Sequence, residues 1–93
     1  MSKLFQYQSN AVISIDTQTA LGGASVTRIL YKKPNGLKGF WPATISGTVM
    51  SYSPADTDLD QAGEWELQAY AEIAGKKAYG AIIKEFIHKP LNV

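Results

Sequence analysis

The 93 residues are 45% hydrophobic and 18% charged, the balance of a folded domain and not of a disordered tail. Nine Lys and Arg against eight Asp and Glu give a formal net charge of +1, which argues against a phosphate-gripping nucleic-acid surface. The absence of cysteine excludes disulfides and thiolate metal sites, and the length fits one domain, residues 1–93, with a single two-layer core.

The opening "MSKLFQYQSNAV" lacks the long apolar stretch of a secretion signal. No apolar run approaches the roughly 20 residues of a membrane-spanning helix. The expectation is a product made and folded in the cytoplasm, with no membrane partner. Leu4 to Gln8 reads as a first edge strand. Ala11 to Asp16 alternates, with Ala11, Ile13 and Ile15 on one face. "LGGAS" follows; it is glycine-rich but precedes a strand, so it lacks the helix N-terminus of a phosphate cradle. Ser25 to Lys33 alternates again, with Thr27, Ile29 and Tyr31 on one face and Arg28, Leu30 and Lys32 on the other. "KKPNGLKG" supplies a turn, since proline sets φ and Asn-Gly tolerates positive φ.

Phe40 to Ile45 reads as one edge strand, because Pro42 cannot donate to a central ladder. It is joined through a two-residue Ser46-Gly47 turn to Thr48 to Tyr52. The strongest pattern comes next. Trp65, Leu67, Ala69, Ala71 and Ile73 point one way, and Glu64, Glu66, Gln68, Tyr70 and Glu72 the other. A slip of one residue would bury three glutamates, so the register is strongly specified. A turn at Gly75-Lys76 leads into Ala78 to His88, whose facing is ambiguous because Ile82 and Ile83 are adjacent. No window carries a helical period. Seven strands, each with one wet face, predict an all-β antiparallel sandwich.

Few residues carry candidate chemistry. His88 is the sole histidine, and no partner for a catalytic triad or a metal site flanks it. Asp56, Asp58 and Asp60 in "DTDLD" superficially resemble a calcium loop, without its glycine or distal glutamate. They read as a hydrogen-bonded turn, with a weak surface calcium site as the alternative. Glu64, Glu66 and Glu72 share a strand face and read as a solvated surface. No catalytic, cofactor-binding or metal-ligating residue is assigned, and no cofactor is expected. Trp65 and Tyr31 are expected in the core. Of the neighbours Phe40 and Trp41, one should face outward. If the strands that hold Leu30 and Tyr70 are neighbours, those two form an apolar spot on a charged face. The candidate contact residues are therefore Leu30, Phe40, Trp41 and Tyr70.

"DQAGEWEL" resembles the pattern that opens strand F of immunoglobulin-superfamily domains, with Asp60, Gly63, Trp65 and Leu67 in the patterned positions. Leu67 stands where that family has cysteine, and Trp65 where it has the corner tyrosine. "VTRILYKKPNG", "FWPATISGT", "YSPADTDLDQAGEWELQAY" and "KAYGAIIKEFI", in that order, resemble the small Ig-like domains of tailed-bacteriophage virion proteins. The resemblance implies an Ig-like β-sandwich and a structural component of the baseplate or tail, neck or head decoration. It implies other virion proteins as partners, several copies per particle and no catalytic residue. A carbohydrate- or host-surface-binding module on the same sandwich is the alternative.

Overall fold

The computed structural model describes residues 4–18, 20–55 and 57–91, and every regular element among them is a strand. The strands are β1 (Leu4–Phe5), β2 (Ile13–Asp16), β3 (Ala24–Lys32), β4 (Lys38–Pro42), β5 (Thr44–Ser46), β6 (Val49–Tyr52), β7 (Gly63–Ile73) and β8 (Lys76–His88). The larger sheet has the order β1-β8-β7-β3-β4, and the smaller one β2-β6-β5. All pairings are antiparallel except that β1 runs parallel to β8. The fold is therefore all-β, a curled mixed sheet with a small three-stranded sheet packed on one face.

Alternation decides which side of each strand is dry. Ile13 and Ile15 of β2 and Met50 of β6 face Ile29, Trp41, Trp65, Leu67, Ala69 and Ala71 of the larger sheet. Trp65, Ile29, Met50, Leu59 and Ile87 are fully buried. An aromatic run joins the layers: Tyr52 stacks on Trp41 at 5.1 Å, and Trp41 lies 4.6 Å from Tyr31 and 6.0 Å from Trp65. The indole N–H of Trp65 donates to the Gln61 carbonyl at 3.0 Å, so its one polar atom is satisfied inside. The Lys33 amine caps this end, 5.7 Å from the Trp65 ring and 2.9 and 3.0 Å from the two Asp60 carboxylate oxygens.

Eight strands replace the seven expected, because Phe40 to Ile45 is not one strand. Pro42 pairs with Arg28 at the edge of the larger sheet, and the chain then changes sheets at Ala43. Thr27 holds that crossing from both sides. Its carbonyl accepts from the Ala43 N–H at 3.1 Å, and its hydroxyl donates to the Ala43 carbonyl at 2.7 Å. The first strand is also shorter than Leu4 to Gln8, since Tyr7 turns away at φ 64° and its N–H bonds the Leu59 carbonyl. Both hairpin turns sit one residue from their expected places. Ser46 still pairs with Val49, so the loop is Gly47-Thr48. Ile73 still pairs with Lys76, so the other loop is Ala74-Gly75, both with positive φ.

The facing of β8 is settled by a bulge. Gln68 opposes Ile82 while Tyr70 opposes Tyr79, which leaves Gly80 and Ala81 together across from Ala69. The Gln68 side-chain amide donates to the Gly80 carbonyl at 2.8 Å and so satisfies a group the ladder drops. The extra residue resets the alternation. Tyr79 and Ile82 lie on the outer face together, and Ile83 turns inward.

Candidate functional site

The outer face of the larger sheet turns away from the small sheet, and strand register arranges its side chains in rows. One row runs Phe40, Leu30, Gln68, Ile82 across β4, β3, β7 and β8. The next is Lys38, Lys32, Glu66, Lys84, and on the other side lie Pro42, Arg28, Tyr70 and Tyr79. Phe40, Tyr79, Ile82 and Phe86 are 52%, 60%, 61% and 55% exposed, a concentration of large apolar side chains on one face. Between the apolar and lysine rows lies an open hollow of about 600 Å³, lined by Leu30, Phe40, Gln68 and Ile82 with Lys32, Lys38 and Glu66 at its margin.

Local chemistry fixes several of these groups. The Arg28 guanidinium sits 4.3 Å from the centre of the Phe40 ring. Lys32 and Glu66 pair at 3.7 Å, and Lys84 and Glu64 at 3.8 Å; both pairs are well exposed and add little stability. Tyr70 packs on Tyr79 at 5.1 Å and donates its hydroxyl to Glu72 at 2.6 Å. That hydrogen bond to a carboxylate pushes the Tyr70 ionisation up to about 12.

The four residues expected at a contact surface have different fates. Phe40 is exposed and Leu30 half-buried, side by side across β3 and β4. Tyr70 shares their face, since β3 and β7 are neighbours, but its neighbours cover it and only 6% remains exposed. Trp41 is a correction. It points inward, 5% exposed in the aromatic run, because its neighbour Phe40 takes the outward position and one strand cannot turn both the same way. Sequence reasoning missed Tyr79, Ile82 and Phe86. The signal was there: a glycine in mid-strand beside an Ile-Ile doublet marks a bulge.

A second hollow, of about 680 Å³, lies where the small sheet stops short of β8. Leu4, Ala11, Val12, Leu67 and Ile83 line it, and Ile83 remains 43% exposed although it faces inward.

The remaining candidate groups serve the turns. Asp58 accepts from the Tyr52 hydroxyl at 2.6 Å and from the Ala55 N–H at 2.7 Å, and Asp60 pairs with Lys33. Asp56 lies outside the described residues. Among the described residues no group of three His, Cys, Asp or Glu side chains is placed to hold a metal ion. The His88 ring lies between Phe5 and Phe86, with centroids 5.6 and 4.8 Å away. Comparison with protein-family models and with curated proteins finds no match.

Proposed function

We propose that this chain is a non-enzymatic structural protein of a tailed-bacteriophage virion, in the tail or baseplate, the neck or the head decoration. It is made in the host cytoplasm and held in the particle by protein–protein contacts. The observation that carries the contact reading is the outer face of the larger sheet, where Phe40, Tyr79, Ile82 and Phe86 stand exposed among paired charges. Such a face costs solubility unless something covers it. Copies repeated on a particle gain affinity through multivalency, so each contact can be modest.

The virion assignment rests on the sequence resemblance, and three features support its Ig-like component. Naming β2 to β8 as strands B, C, C′, D, E, F and G gives the neighbour orders B-E-D and G-F-C-C′ of that sandwich. Leu67 takes the position of the family's cysteine as a buried apolar residue. The Trp65 indole bonds a carbonyl four residues upstream, the task of the corner tyrosine's hydroxyl.

Mass spectrometry of purified particles, with the double variant Phe40→Glu and Ile82→Glu, tests the reading. The variant should keep its circular dichroism spectrum and be excluded from particles. Normal incorporation rejects this face, and particles that lack the wild-type protein reject the virion assignment. The second reading, a carbohydrate- or host-surface-binding module, is favoured by the exposed rings of Phe40, Tyr79 and Phe86. A glycan screen that finds a ligand lost on Phe40→Ala and Tyr79→Ala would replace the first reading.

A further inference from the structure

The outer face divides into columns of opposite charge. On that face β3 and β4 carry Arg28, Lys32 and Lys38 and no acid, and β7 carries Glu64, Glu66 and Glu72 and no base. A face with one basic and one acidic column is complementary to itself. A two-fold axis parallel to the strands, passing between β3 and β7, lays β3 of one copy over β7 of the other and keeps every row level. Lys32 then meets Glu66 of the second copy, Leu30 meets Gln68, and Phe40 meets Ile82. Lys38 and Lys84 meet only at the rim, where Glu64 already accompanies Lys84.

We propose that the occupant of this face is a second copy of the same chain, in a two-fold dimer with the larger sheets packed face to face. This rests on the docking reading above and names its partner. Charge complementarity selects the partner, and the apolar row supplies the burial: Phe40 and Ile82 fill the hollow beside Leu30 from the opposite copy. Isologous contacts of this kind are the commonest way that identical subunits associate. Twisted sheets also pack well with strands nearly aligned. Four strands about 4.8 Å apart and five residues of about 3.4 Å give a flat footprint on the order of 300–400 Å² per copy. That is at the low end for a specific interface, so the dimer is a concentration-dependent one with a dissociation constant on the order of 10–100 µM.

A mixing experiment with the full chain tests the geometry. Lys32→Glu sets acid against acid across the axis, and Glu66→Lys sets base against base. Each variant alone should weaken the dimer about tenfold in sedimentation equilibrium. An equimolar mixture should restore it. In the mixed dimer the introduced acid faces the introduced base at one contact, and the native Lys32 faces the native Glu66 at the other. A loss of folding cannot produce recovery on mixing. Circular dichroism of each variant verifies the fold, and Phe40→Glu should abolish the dimer. The proposal is overturned if the wild type remains monomeric to about 1 mM, well above the expected constant. It is equally overturned if mixing restores nothing. A monomer whose Phe40→Glu, Ile82→Glu variant is excluded from particles assigns the face to another virion protein and leaves the docking reading standing. A dimer with normal particle incorporation of that double variant keeps the pairing and removes the docking reading.

Discussion

Gly39 shows how one side chain dictates its neighbour. It pairs across the ladder with Tyr31, whose ring lies over it, so an added Cβ would fall 2.5 Å from the Tyr31 hydroxyl oxygen and 2.6 Å from the adjoining ring carbon. The ring cannot easily step aside, because Trp41 and Trp65 flank it at 4.6 and 5.7 Å. Gly39→Ala should therefore cost about 1–3 kcal/mol by overpacking, measured by urea unfolding. An unchanged midpoint would mean that Tyr31 has room to move. Tyr52 provides a different test. Its hydrogen bond to Asp58, then burial, pushes its ionisation up to about 12 from an ordinary value of 10.0. The folded state holds this proton more tightly than the unfolded chain does. The bond's contribution is therefore complete below pH 10 and is lost as pH rises towards about 12. Tyr52→Phe should lower the melting temperature at neutral pH and shrink its fall between about pH 10 and 12. A parallel alkaline fall in both proteins would place the loss elsewhere.

Among the elements, β7 was legible in the sequence almost residue by residue. Its alternation has a period of two, a single error would bury carboxylates, and Trp65 to Ala71 are inside as that pattern requires. The neighbouring elements were less legible for identifiable reasons. In Phe40-Trp41 both residues are aromatic, so hydrophobicity cannot rank them; only the pairing of Phe40 with Leu30 does. The change of sheet at Ala43 depends on Thr27, 16 residues away, a contact no local pattern contains. The outer contact face was half visible, through Leu30 and Phe40, because its other half depends on the bulge at Gly80 and Ala81. The Ala74-Gly75 turn carries the element-scale prediction. Ala74 is held at φ 53°, where a Cβ crowds the backbone, in a two-residue hairpin that favours glycine or asparagine. Ala74→Gly should stabilise the protein by about 0.5–1 kcal/mol, after allowing for the greater freedom of the unfolded chain. A lower melting temperature for that variant would mean that the turn is not under strain.

At the scale of the whole molecule, the sequence was sufficient for an all-β chain with one core and insufficient for its layering. Alternation states which residues are dry, and it is silent on which strands are neighbours. Nothing local indicates that β8 lies between β7 and β1, or that β1 runs parallel to it. That placement has a consequence for the order of events during synthesis. Leu4 and Phe5 leave the ribosome before every other strand, and their strand partners are Ile87 and His88, the far end of the last strand made. The small sheet is also interrupted, since β3 and β4 of the other layer are made between β2 and β5. Neither layer can be completed from a contiguous stretch of nascent chain. The chain must therefore emerge through His88 before β1 has anywhere to dock, and stable folding is a late, all-or-none closure dominated by distant pairings.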